Sequence, residues 1–304
     1  MRIFVTGASG WIGSAVVTEL LEAGHDVLGL ARSDASAGAI AAAGAEIRRG
    51  DLGNLDVLRA AATESDGVIH LAFRHDIAFA GEFDTAVASD LEAIEAFGDA
   101  LGGTNKPLAI ASGVASLKPG ALATERDMGE PFAGPGGRVL NERAALALAE
   151  RGVRSMSIRF APTVHGDGDN GFIAMLVAAD RAAGSAAYID EGTNRWPAVH
   201  RSDAGRLVRL GIERAPAGSV LHAVGEEGVA LRDVSQAIGW ALDLPVTSIT
   251  AEQGQAQFGF LAHFLASDMP ASSALTRELL GWQPAGPGLI ADLEEGHYFA
   301  VAAA

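Results

Sequence analysis

Arg2-Ile-Phe-Val-Thr-Gly7-Ala-Ser-Gly10-Trp-Ile-Gly13 is the stretch that decides how the chain reads. An apolar run leads straight into three glycines, and a helical pattern follows. That is the layout of a strand–turn–helix that cradles a dinucleotide. Gly7 permits the tight turn, Gly10 leaves room for a pyrophosphate, and Gly13 allows the helix to pack closely on the sheet. The helix then points its unpaired N–H groups and positive dipole end at the phosphates. The spacing is G-x-x-G-x-x-G, not the G-x-G-x-x-G of the general fingerprint. The residues expected against the dinucleotide are Gly7, Ser9, Gly10, Trp11, Ile12 and Gly13.

Outward from this turn, strand and helix signals alternate, which predicts a parallel sheet with helices on both faces. Strands are expected at Ile3–Thr6, Asp26–Leu30, Glu46–Arg48, Gly67–Leu71, Pro107–Ala111 and Arg154–Phe160. Helices are expected at Trp11–Ala23, Ala35–Ala43, Leu55–Thr63, Phe83–Leu101 and Arg138–Glu150. After residue 165 the pattern loosens. A helix over Asn170–Ala183, a strand at Trp196–His200, a helix over Ser202–Glu213 capped by Ser202 or Asp203, and a strand at Ser219–Ala223 precede mostly helical segments. The expected class is α/β: a doubly wound Rossmann parallel sheet over residues 1–165, rejoined by 195–223. A smaller C-terminal α/β substrate lobe is expected within 166–304.

The end of the second strand bears on the cofactor. An acidic residue there binds the ribose 2′-hydroxyl, whereas an arginine favours a 2′-phosphate. Ala31 stands where the acid would be, and Arg32 and Ser33 follow. NADP(H) is therefore favoured over NAD(H). Asp51 and Leu52, after the third strand, are placed to line the adenine.

Composition narrows the classes. The chain has 304 residues, no cysteine and a formal net charge of −16. Disulfides, thiolate metal sites and cysteine nucleophiles are excluded. The 22 lysines and arginines are scattered, so nucleic acid is not an expected partner. No signal-peptide pattern opens the chain and no uncharged run is long enough to span a membrane, so a cytoplasmic location is expected. No histidine–carboxylate spacing suggests a metal.

Taken together, Thr6–Gly13, Gly50-Asp-Leu52, Val68-Ile-His-Leu-Ala72, Ser112, Arg159-Phe-Ala-Pro162-Thr-Val-His-Gly166, Val199-His200 with Asp203, and Leu279-Leu-Gly-Trp-Gln-Pro284 resemble an extended short-chain dehydrogenase/reductase of the epimerase/dehydratase-like branch. The resemblance covers nearly the whole chain in order. It implies that Leu71, Ala72 and Phe73 lie along the cofactor and that Pro162 caps the nicotinamide. It also implies that Ser112 bonds the substrate oxygen and that a Tyr-x-x-x-Lys pair on the next helix supplies the proton. A homodimer through two long helices is common in that family, and the residues themselves are equally compatible with a monomer.

The chain departs from the family at the Tyr-x-x-x-Lys pair. Its two tyrosines, Tyr188 and Tyr298, do not begin that motif. One alignment register puts Gly134 and Arg138 in the two slots, and the other puts Gly137 and Asn141 there. Arg138 is suited to hold a ribose or an alkoxide by charge, but an arginine is a poor proton donor. A histidine is the better acid, and His165, in the loop after the sixth strand, is the candidate. His70 reads as a satisfied core histidine, and His75 follows in a loop within reach of the pocket. The expected activity is an NADP(H)-dependent oxidoreductase acting on a small carbonyl or alcohol. A non-catalytic NADP(H)-binding sensor is the alternative, followed by an epimerase, dehydratase or isomerase.

Overall fold

The computed structural model describes residues 1–115, 117–131 and 136–300. Gly134 lies outside the described residues. The first half of the chain runs β1 (Arg2–Thr6), α1 (Trp11–Glu22), β2 (Asp26–Ala31), α2 (Asp34–Ala42), β3 (Glu46–Arg49), α3 (Leu55–Thr63), β4 (Gly67–His70), α4 (His75–Ala78), α5 (Phe83–Leu101), β5 (Pro107–Gly113), α6 (Gly137–Ala147) and β6 (Arg154–Phe160). The second half runs β7 (Thr163–His165), α7 (Phe172–Ala183), β8 (Ala186–Ile189), β9 (Arg195–His200), α8 (Arg201–Arg214), β10 (Ser219–Ala223), β11 (Glu226–Ala230), α9 (Leu231–Leu242), β12 (Val246–Ile249), α10 (Ala251–Phe258), α11 (Leu261–Leu265), α12 (Ala274–Leu280) and α13 (Leu289–Glu294).

Seven strands form one parallel sheet in the order β3-β2-β1-β4-β5-β6-β10. Helices cover both faces, so the central strands have no polar side and read as unbroken apolar runs. In β1 the two-residue period divides the side chains between two cores. Ile3 and Val5 join Val16, Leu20 and Leu207 on one face, while Phe4 joins Leu58, Phe97 and Leu101 on the other. The chain runs outward from β1 through β2 to β3, then crosses back to β4 on the other side of β1 and proceeds outward in the opposite direction. A crevice therefore opens at the carboxyl ends of these strands.

β10 returns to the edge of the sheet beside β6, and α8 lies against α1. The smaller lobe has a three-stranded sheet, β11-β9-β7, and a parallel pair, β12-β8. Its own core gathers Ile173, Leu176, Trp196, Val234, Phe258 and Leu293. β7, β8, β11 and α4 are three to five residues long. Such segments are too short for a hydrophobic period to emerge from the sequence.

Two local expectations are corrected. The cap of α8 is neither Ser202 nor Asp203 but His200, whose ring accepts from the Ser202 N–H. Asp203 is buried and instead accepts from the Ala285 and Gly286 N–H groups, tying the C-terminal segment to α8. The helix expected through Glu150 ends at Ala147 and tightens into a 3-10 turn over Leu148–Arg151, which closes on Gly152 at φ 74°. Among the described residues, no helix is long and apolar enough to cross a membrane.

Candidate functional site

The crevice at the strand ends is a cleft of about 500 Å³. Of the residues singled out in the sequence, Gly7, Ser9, Gly10, Trp11, Ile12, Gly13, Arg32, Asp51, Leu52, Leu71, Ala72 and Phe73 line it. Its floor is the turn between β1 and α1. Gly7 has φ +70°, and a Cβ there would sit 2.8 Å from the Ala72 nitrogen at the end of β4. A Cβ on Gly13 would lie 1.9 Å from the Gly7 carbonyl oxygen. Gly13 is therefore required by its own turn, more than by helix packing on the sheet.

Gly10 caps α1 with extended backbone, without a side-chain cap bond and without an acid in the first turn. The first N–H groups of α1 are left without side-chain acceptors at the cleft floor. That geometry, together with the dipole, suits a phosphate. The cradle thus fits the diphosphate of a dinucleotide. Thr6 ties the two flanking strands together: its hydroxyl accepts from the Ala72 N–H (3.2 Å) and meets His70 Nδ1 (2.7 Å). His70 also reaches Asp90 (3.1 Å) and is buried, a satisfied core histidine. Burial pushes the Asp90 carboxyl up, but His70, Arg138 and Asn141 outweigh it and hold it below the usual range.

At one end of the cleft lie Arg32, Ser36, Asp51 and Gly53. Arg32 Nη1 donates to Asp76 Oδ2 at 2.9 Å. Ser33 does not reach the lining. Its hydroxyl caps α2 by accepting from the Ser36 N–H, and Ser36 lines the cleft in its place.

At the other end lie Phe73, Arg74, His75, Ala111, Phe160 and Asn170. Arg138 stands behind this wall. It donates to the Ala111 carbonyl at 3.0 Å, and its guanidinium lies 4.6 Å from the Phe73 ring centroid. Its position follows from α6. Glu142, one helical turn on, accepts from Arg159 Nε and Nη2 on β6 at 2.8 and 2.9 Å. This buried pair pins the helix, and residues four apart share a face. Burial lowers the Arg138 pKa, partly countered by Asp90 and Glu142. Ser112 follows Ala111 on β5 and is half-buried, set back from the lining. Pro162 is also off the lining, in the bend between β6 and β7, and Phe160 takes that place.

The histidine expected to donate the proton is displaced. His165 sits on β7, fully buried, with Nδ1 2.8 Å from Asp292 on α13. Its ring packs edge-on to His200 at 5.5 Å, and it does not line the cleft. His75 does. Burial, then the nearby Arg138, lowers its pKa, so its imidazole is neutral at pH 7. His75 opens α4 directly after the Phe73-Arg74 loop, within reach of the pocket as its place in the sequence predicts.

The second alignment register for the proton-donating pair is closed. A Cβ on Gly137 would meet Val87 Cγ1 at 2.9 Å. Asn141 is buried, donating to the Val87 carbonyl and to Asp90. Both tyrosines lie in the smaller lobe, Tyr188 on β8 and Tyr298 donating to Asp169 at 2.9 Å. One mixed set of metal-ligating types comes together that the sequence reading did not single out. Asp292, Glu295 and His297 hold their ligand atoms within 4.8 Å of one another.

A family model described as the NAD dependent epimerase/dehydratase family matches residues 3–94. The chain is 45% identical over 301 residues to Uncharacterized protein C2A9.02 of Schizosaccharomyces pombe, covering 98% of this chain and 100% of that one. It is 43% identical over 299 residues to Uncharacterized protein YLL056C of Saccharomyces cerevisiae, covering 98% and 99%. Among solved structures, the UDP-glucose 4-epimerase of Thermotoga maritima with UDP-glucose superposes with a TM-score of 0.77 at 18% identity, covering 98% of both chains. That degree of likeness establishes a shared fold.

Proposed function

Because the chain belongs to the NAD dependent epimerase/dehydratase family of extended short-chain dehydrogenases/reductases, we propose that it is an NADP(H)-dependent oxidoreductase acting on a small carbonyl or alcohol. The observation that carries this reading is the cleft. A phosphate cradle and Arg32 occupy one end, and a small wall of Phe73, His75, Ala111 and Phe160 occupies the other. A bound nicotinamide would supply or accept the hydride.

The chain's own residues do the rest. The α1 N–H groups hold the diphosphate, and Arg32 faces the adenosine ribose. Arg138 fixes the end of β5 through the Ala111 carbonyl and stiffens the wall through Phe73. Ser112, set just behind the Ala111 lining, reaches the substrate oxygen by turning its hydroxyl into the cleft on binding. His75 holds the proton position. Its neutral imidazole accepts the alcohol proton in the oxidative direction and returns it in the reductive one.

Interconversion of nucleotide sugars is the second reading, favoured by the family description and by the epimerase of like fold. A nucleotide sugar carries a diphosphate that the lobe would have to clamp with cations. Six of the arginines that follow Gly166 are engaged elsewhere. Arg181 holds the Phe299 carbonyl, Arg195 pairs with Asp268, and Arg206 pairs with Asp203. Arg209 pairs with Glu19 and Glu213, and Arg277 holds the Gly225 carbonyl. Arg201 donates to the Trp11 carbonyl and covers the Trp11 ring.

The test is NADPH oxidation by the purified protein over a panel of aldehydes and ketones, with UDP-glucose and dTDP-glucose assayed in parallel for epimerised or dehydrated product. Turnover of the carbonyl panel alone supports the first reading. Product from the nucleotide sugars alone replaces it with the second.

A further inference from the structure

We infer that Asp76, carried by the short helix after β4, sets the balance between NADP(H) and NAD(H) by competing with the cofactor's 2′-phosphate for Arg32. This rests on the reading of the cleft as a nicotinamide-dinucleotide site. In the usual logic of the fold, the choice is made by a residue at the end of β2. Here that position is Ala31, and the neighbouring Arg32 does not stand free. Its Nη1 donates to Asp76 at 2.9 Å, and the pair is exposed, with 65% and 47% of the side chains accessible. The arginine holds the Asp76 carboxyl below the usual carboxylate range. Asp76 is therefore charged whenever the protein is near neutral pH.

A second arginine near this end, off the lining, is also engaged. Arg49, at the end of β3, pairs with Asp34 in the first turn of α2 at 2.7 Å. Asp51 adds another carboxylate to the lining. A 2′-phosphate carries close to two negative charges, and the arginine it would meet at this end of the lining is already matched by an aspartate. To bind Arg32 it must share or displace Asp76. A 2′-hydroxyl meets no such repulsion and can donate to a carboxylate. The residue that selects the cofactor is thus brought to β2 from 44 positions away in the chain. A reading of the β2 terminus alone misses it.

Asp76 sits in a segment held at both sides of the cleft. It touches β2's end through Arg32, and Phe79 at the end of the same segment packs on Phe260 of the lobe at 5.5 Å. The segment that carries the carboxylate is consequently anchored at two points beside the cleft.

The experiment is a fluorescence titration of NADPH and NADH into wild type, Asp76→Asn, Arg32→Ala and the double variant, at low and at moderate salt. Both side chains are exposed, and circular dichroism verifies folding. Asp76→Asn is expected to tighten NADPH about fivefold to tenfold and to change NADH by less than about twofold, the gain shrinking with salt. In the Arg32→Ala background the same substitution is expected to change NADPH by less than about twofold, because the competition has lost its object. Equal changes for both cofactors, or a gain that survives Arg32→Ala, overturn the inference while leaving the cofactor reading intact. Failure of wild type to bind either cofactor overturns both.

Discussion

The two ends of the cleft are built differently. The phosphate end uses backbone: the β1–α1 turn, two glycines that admit no Cβ, and helix N–H groups without a side-chain cap. Its parts are neighbours in the chain. The reaction end uses side chains drawn from β4's loop, β5, α6 and β6, and it exists only when Glu142 and Arg159 have locked α6 in place. In the proposed reading, binding rests on glycines close together in the chain, whereas the chemistry rests on packing between distant segments.

The sharpest way to break this contrast is Gly13→Ala. Its methyl would overlap the Gly7 carbonyl, so the turn must open. Cofactor affinity is expected to fall by about a hundredfold or more, together with about 1–3 kcal/mol of stability. A titration that gives wild-type affinity would show that the turn is not the cradle.

The next largest effect separates two histidines. His75→Gln is expected to lower kcat about a hundredfold with little change in cofactor affinity. His165→Gln is expected to leave kcat per folded molecule unchanged and to cost about 1–3 kcal/mol in a denaturant melt, because Asp292 loses its buried partner. The reverse pattern would return the proton to His165. The pH profile adds a check. His75 has a lowered pKa, so the oxidative rate is expected to hold through neutral pH and to fall only below its ordinary value of 6.5. A fall-off above that value would assign the limb to another group.

Ser112→Ala is expected to reduce kcat about tenfold, the loss of one hydrogen bond to a charge-developing oxygen, while KM for NADPH stays constant. An unaltered kcat would remove Ser112 from the reaction end.

The smallest effect lies outside the cleft and isolates folding from function. Asp180 on α7 is buried, and burial pushes its pKa up to about 7, against the pull of the Ala187 N–H and Gln257. Its folded pKa lies above the unfolded one. Its contribution to stability is therefore full below about pH 4 and is lost as pH rises through about 7. Asp180→Asn is expected to raise Tm at pH 8.5 relative to wild type, to do so much less at pH 5, and to leave kinetics unchanged. Equal shifts at both pH values would show that the carboxyl is ionised in the folded protein throughout.

How far the sequence could be read follows the same division. Helices Leu55–Thr63 and Phe83–Leu101 and strand Arg154–Phe160 begin and end where periodicity and breakers place them. Ser33 and Ser36 show a finer limit. The sequence pointed to Ser33, but a capping bond holds its hydroxyl on α2 and leaves Ser36, three residues on, at the cleft. His165 illustrates a larger one. Its loop motif is sound, yet α13 arrives from 127 residues away with a carboxylate and seals it.

The sequence by itself determined the parallel sheet, its crevice at the strand ends and the phosphate turn. These rest on hydrophobic period and on glycine stereochemistry, both properties of contiguous residues. Tertiary structure alone decided that His165 is sealed away from the cleft, that Val87 crowds position 137, and that Asp76 stands on Arg32. Those outcomes depend on how separate elements pack, because a side chain's neighbours, burial and charge environment come from segments that no local pattern can pair.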